Sequence, residues 1–281
     1  MLFKAPESMG KKVVFGAVHF AAGLFRDRQV WGERSTIIAP ADGTCLFYTM
    51  FGSLALTLIQ GWTIGNPENL QYLPETPTTA DSAEEYKAKL RTGGRALRNL
   101  LMQYLVQTYT FWFGDGSSAP TTEQANRMNH LWEGLSQMRA RVLQAGTLAS
   151  QELMPAFNRR LSGIVQLNDV RLYATAMSNP YTVLNDGTQL YGWAGELEFE
   201  LSAHFFGVVV NQFTSVEGQP VEFSGLSFVY TTCPDGMDRL DKTTDGTEVN
   251  CVQPGMTVWN VIHRTVIEED GDIKGMHFDY G

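Results

Sequence analysis

From Cys45 onward, apolar residues recur at steps of three and four through Phe47, Met50, Phe51, Leu54 and Leu58. That period predicts a helix with one face packed toward a core, ended by Gly61. Ahead of it, Ser35 to Pro40 reads as a short extended approach and Asp42-Gly43 as a turn. Residues 65 to 80, with Pro67, Pro74 and Pro77, read as a loop. The helical period returns from about Arg95 to Tyr109 through Leu97, Leu100, Leu101, Tyr104 and Leu105, and stops at Gly114 to Ser118. A third helix is predicted over about Thr122 to Gln144, with Met128, Leu131, Trp132, Leu135, Met138 and Val142 on one stripe. Shorter helical pieces are expected between Leu148 and Ala176.

The final third changes character. Ala194 to Phe206 is helical, with Leu197, Leu201 and Phe205 spaced at four. Runs suited to strands then take over at Val208 to Phe213, Leu226 to Thr231 and Thr257 to Ile267. The polar, Asp-rich stretch Asp235 to Val249 is expected as a solvated hairpin loop; its Asp spacing does not match a calcium loop. Helices gathered in the middle and strands gathered at the end predict an α+β fold. The organisation expected is an N-terminal segment, residues 1–34, and one domain, 35–281, with a helical insertion or lobe at about 115–180.

Composition adds limits. Hydrophobic residues at 43% and charged residues at 18% fit an ordinary folded protein. A net charge of −9 speaks against tracking a nucleic-acid backbone, which needs clustered Lys and Arg. Cys45, Cys233 and Cys251 are too few and too scattered for a disulfide framework or a structural zinc site. Cys233 and Cys251 flank one polar loop and could pair if the strands bearing them are neighbours, but in a reducing setting they read first as two small buried hydrophobes. Lys11-Lys12 before Val13 to Phe25 has the outline of a signal peptide, but His19 and small-residue breaks favour a packed N-terminal helix or strand. The run is too short to span a membrane.

Cys45 carries the candidate chemistry. A cysteine at a helix N-terminus meets unsatisfied backbone N–H groups and the positive end of the helix dipole, a setting that suits a thiol nucleophile. The turn through Asp42, Gly43 and Thr44 can aim N–H groups at a developing oxyanion. Among five histidines, His19, His130 and His204 read as structural, and His263, in mid-strand, is a rival base. His277 is the stronger candidate: it follows a Gly-bounded turn, Asp270 to Gly275, and Asp279 two positions on can orient its ring.

Three motifs share one order with a known family. They are Asp42-Gly43-Thr44-Cys45-Leu46-Phe47; Tyr191-Gly192-Trp193-Ala194-Gly195-Glu196-Leu197 leading through Ala203, Phe206 and Gly207 into Val208-Val209-Val210; and His277-Phe278-Asp279. With them the chain resembles the ovarian tumour (OTU) family of cysteine proteases, most of whose active members are deubiquitinases. The likeness spans most of residues 36 to 279, and Arg98 to Tyr104 is similar to the helix after the family's nucleophile helix. Thr44 stands where Asn or Asp is frequent, Ala194 where a second Gly is frequent, and the stretch from about 115 to 180 is added.

The resemblance implies a papain-like fold, a small central β-sheet flanked by helices. It implies a triad of Cys45, His277 and Asp279, with Asp42, Gly43 and Thr44 at the oxyanion. Trp193 and Ala194 on one side, and Gly275, Met276 and Phe278 on the other, would flank a channel for the ubiquitin tail. No metal or organic cofactor is required. The expected partner is ubiquitin or polyubiquitin, and the added helices suit a secreted bacterial effector acting in a host cytoplasm, or otherwise a cytoplasmic enzyme. A protease for a ubiquitin-like modifier or a polyprotein, and a catalytically silent ubiquitin-binding module, are the alternatives.

Overall fold

The computed structural model describes residues 28–31, 34–38, 43–145, 165–179, 181–183, 189–216, 222–232, 238–243, 257–267 and 273–280. Cys233, Cys251, His19, Asp42 and the run Val13 to Phe25 lie outside the described residues. The architecture is α+β. The elements, in chain order, are β1 (Arg28–Trp31), β2 (Arg34–Ile38), α1 (Cys45–Ile59), a 3-10 turn (Pro67–Tyr72), α2 (Ala83–Gln107), α3 (Tyr109–Phe113), α4 (Thr122–Ala145) and α5 (Leu167–Ser178). The hairpin β3 (Tyr181–Val183) and β4 (Gln189–Tyr191) follows, then α6 (Glu196–Phe206), β5 (Val209–Val216), β6 (Glu222–Thr232), β7 (Asp238–Thr243), β8 (Val258–Ile267) and β9 (Ile273–Tyr280).

Seven strands form one mixed sheet in the order β1-β2-β9-β8-β5-β6-β7. Only the β5–β8 pair is parallel among the described strands; the other neighbours run antiparallel. The sheet is wider than expected for two reasons. The strand β7 falls inside the stretch Asp235 to Val249, expected as a loop, because Asp238–Thr243 pairs along β6 from Thr232 to Ser227. On the opposite side, Arg28–Trp31 pairs with β2 and so enters the same sheet.

The described residues fall into two compact units, one drawn from Met1–Ala41, Cys45–Leu97 and Ser202–Gly281, the other from Asp42–Thr44 and Arg98–Leu201. In the first, α1 is the core. Phe47, Tyr48, Met50, Phe51, Leu54 and Ala55 are all fully buried, and burying a side chain the size of Phe, Met or Leu is worth about 1.5–3 kcal/mol against exposure. The helix is enclosed on nearly every side through its first three turns, while Leu58, expected on its buried face, is exposed. Adjacent glycines let α2 come this close: a Cβ at Gly93 would enter the Phe51 ring and one at Gly94 the Tyr48 ring. Toward the sheet, Trp259 on β8 donates its indole N–H to Thr57 Oγ1 at 2.9 Å, and Thr57 donates onward to the Ser53 carbonyl at 2.8 Å. The last carbonyls of α6 are also met: Asn66 donates to His204 O at 2.8 Å and Asn69 to Phe205 O at 2.5 Å.

In the second unit, Arg127 on α4 donates to Glu200 on α6 at 2.7 Å, both side chains nearly buried. The Arg127 guanidinium also sits 5.1 Å from the Trp112 ring centroid and 5.9 Å from that of Phe111. Such a paired, stacked cation satisfies a charge that burial alone would penalise.

Candidate active site

Cys45 is the first residue of α1, directly after the buried Thr44. Gly43 before them has φ +78°, a left-handed backbone that a side chain resists, which explains why the turn needs glycine there. The first turn of α1 holds no acidic residue to offset the positive end of the helix. Cys45 is a free cysteine and 2% exposed, so a carbonyl reaching its sulfur has to displace what covers it.

Within the same unit, α1 packs against β9. On β9, His277 pairs with Arg264 and Asp279 with Ile262 of β8, while Asp279 is also in register with Ile38 of β2. His277 and Asp279 therefore stand two residues apart in an uninterrupted stretch of an inner strand. Gly275, Met276 and Phe278 are ladder positions opposite Val266, Thr265 and His263. Of the turn expected over Asp270 to Gly275, the part from Ile273 to Gly275 belongs to β9, and the rest lies outside the described residues. Gly275 instead adjoins an irregularity in the ladder, where Val266 faces Gly275 but Ile267 faces Ile273, leaving Lys274 as an extra residue. A glycine beside a bulge is common because the bulge bends the strand.

The other histidines are placed as follows. His263 is in register with Phe278, one position out of step with His277, so only His277 shares a register parity with Asp279. His130 on α4 pairs with Glu196 at 3.0 Å on the partly exposed surface of the second unit. His204 stands on α6, and its backbone carbonyl accepts the Asn66 amide. Trp193 and Ala194 belong to the second unit, in the short segment between β4 and α6, and Trp193 is 42% exposed.

Two residues near these segments were not singled out from the sequence. Arg98 on α2 is 1% exposed and donates from Nη1 to the Gly43 carbonyl at 2.6 Å, from Nη2 to Gly192 O at 2.9 Å and Asn179 O at 3.1 Å, and from Nε to Met177 O. Hydrogen bonds from a charged donor contribute about 1.5–3 kcal/mol each, so the fork is a strong local tie. Its signal was available: Tyr86, Leu90, Gly94, Arg98 and Met102 form one row at steps of four along α2, and a charge in such a row demands internal partners. Glu198, buried on α6, accepts the Tyr173 hydroxyl at 2.6 Å and the Gly195 N–H at 2.8 Å. Burial raises the Glu198 carboxyl above its ordinary range, against the opposing pull of these two donors and of the Arg98 charge. Burial and the neighbouring Glu198 push the Tyr173 phenol well up, which keeps it a donor.

Among the described residues no group of His, Cys, Asp and Glu is arranged to hold a metal ion, and no helix is long and apolar enough to cross a membrane. No family model matches the chain, and comparison with curated proteins and with solved structures likewise finds no match.

Proposed function

We propose that the chain is an OTU-like thiol hydrolase that cleaves isopeptide bonds after the C-terminal glycine of ubiquitin. What supports the reading is the packing of α1, which begins at Cys45, against the strand on which His277 and Asp279 stand two residues apart. In this mechanism Cys45 attacks the glycine carbonyl while His277 takes the thiol proton. His277 then protonates the leaving lysine amine, and a water activated by the same imidazole releases the thioester. Asp279 orients the imidazole, and N–H groups of the Gly43-Thr44-Cys45 turn stabilise the oxyanion. A pathogen effector working on host ubiquitin is the setting this substrate suits.

The test is incubation with the set of differently linked ubiquitin dimers, with Cys45→Ala as control. Cleavage by the wild type and none by the variant is the expected result; full activity in Cys45→Ala ends the hypothesis. The near-complete burial of Cys45 favours one second reading, a ubiquitin-binding module without turnover. That reading is upheld by ubiquitin binding that survives in Cys45→Ala together with no hydrolysis by the wild type.

A further inference from the structure

Arg98 draws together backbone that is far apart in sequence but belongs to one compact unit. Its acceptors are Gly43 in the turn two residues before Cys45, Met177 and Asn179 at the end of α5, and Gly192 directly before Trp193. A single Nη2 holds both Asn179 and Gly192, the residues that lead into β3 and out of β4. The hairpin between them is thereby closed at its base, with the exposed Tyr181 and Trp193 at its two ends. The same guanidinium fixes the Gly43 carbonyl. A planar fork with fixed donor directions can set several carbonyls at once, which an ammonium on a flexible stem cannot.

We propose that Arg98 is a positioning residue that locks the Gly43–Thr44 turn to the segment carrying Trp193, fixing the spacing between those two segments of one unit. The consequence for turnover rests on the reading of Cys45 as a nucleophile; the mechanical coupling does not. Because the spacing of donors relative to a bound carbonyl governs the rate, a small misplacement lowers kcat by roughly ten- to a hundredfold.

Two arginine variants separate positioning from general support. Arg98→Lys keeps a charge but not the fork. Arg127→Lys disturbs a second buried arginine of the same unit, whose partners Glu200, Trp112 and Phe111 are not among the acceptors of Arg98. Hydrogen exchange read by mass spectrometry is expected to quicken in Arg98→Lys in peptides over Gly43 to Cys45 and over Gly192 to Ala194 together, and not in the first turns of α4. Turnover of a fluorogenic ubiquitin amide should fall in kcat by roughly ten- to a hundredfold in Arg98→Lys, and stay near wild type in Arg127→Lys at temperatures where both are folded. Unchanged exchange in either peptide, or the same exchange pattern and kcat loss in both variants, overturns the proposal. If Arg98→Lys does not fold, native-state exchange of the wild type in low denaturant decides: the amides near Gly43, Asn179 and Gly192 open in one cooperative step if Arg98 couples them, and separate openings refute it. A wild type that cleaves no ubiquitin substrate sinks the proposed function and the kinetic half of this inference, leaving the exchange to uphold or overturn the coupling.

Discussion

At the residue scale, Gly43 and Glu198 give the sharpest expectations. With φ at +78°, Gly43 accepts a side chain only with strain. Gly43→Ala is therefore expected to cost about 1–2 kcal/mol, read as a lower midpoint in denaturant, and, on the proposed reading of Cys45 as a nucleophile, to slow hydrolysis beyond that loss. An alanine variant as stable as wild type would place the turn in another conformation. The buried Glu198 carboxyl has its folded pKa raised by desolvation. The folded state then holds the proton more tightly than the unfolded chain, so this contribution is full below the ordinary glutamate value of 4.5 and is lost as pH climbs through the raised one. Thermal melts of wild type against Glu198→Gln should show the wild type losing ground as pH rises above the ordinary glutamate value of 4.5. Parallel curves for the two proteins would mean that Glu198 does not titrate in that window. The Gln variant also misplaces one acceptor, but that offset does not change with pH and drops out of the slope.

Among the elements, α4 and α6 depend on one buried ion pair. Removing Arg127 leaves Glu200, a nearly buried carboxylate, without its cation. Arg127→Ala is expected to destabilise the protein by about 3–5 kcal/mol, measured by chemical denaturation; a loss under about 1 kcal/mol, the range of exposed pairs, would mean the charges are hydrated. Helix boundaries also show where the sequence could be read and where it could not. The helix at Cys45 and the one at Thr122 were legible because their apolar positions are dense and a clear breaker follows each. The start of α2 at Ala83 was missed by about three turns, since Glu84, Glu85, Lys87, Lys89 and Arg91 hide a sparse apolar row. A signal did exist. Ser82 and Glu85 form a capping box, the Glu85 carboxylate accepting the Ser82 N–H at 2.9 Å and the Glu85 N–H reaching Ser82 Oγ at 3.3 Å. The strand β7 was missed because Asp238-Arg239-Leu240-Asp241-Lys242 carries the polar residues of an outermost strand, which composition alone cannot tell from a loop. For the candidate site, the start of a helix at Cys45 and the placing of His277 and Asp279 on one strand were legible from local pattern, but the buried Arg98 fork joins segments whose meeting depends on tertiary structure alone.

For the molecule as a whole, the place of β9 matters most. It lies between β2 and β8, pairing Ile38 with Asp279 on one side and Val261 with Tyr280 on the other. A chain shortened after Ile267 loses the strand that joins β1–β2 to the other four. Such a fragment is expected to aggregate, with two uncovered strand edges where β9 had been; a soluble fragment with cooperative unfolding would contradict this register. The same placement bears on how the protein is made. On the ribosome, β2 emerges early and β8 late, and neither can complete its hydrogen bonds on this side until β9 has followed both. The closure joins residues near opposite ends of the sequence, a contact that is slow to form and leaves sticky edges exposed meanwhile. The strand bearing His277 is consequently a late arrival in folding, so that, on the proposed reading of Cys45 as a nucleophile, a nascent chain would hold the thiol before its base is in place.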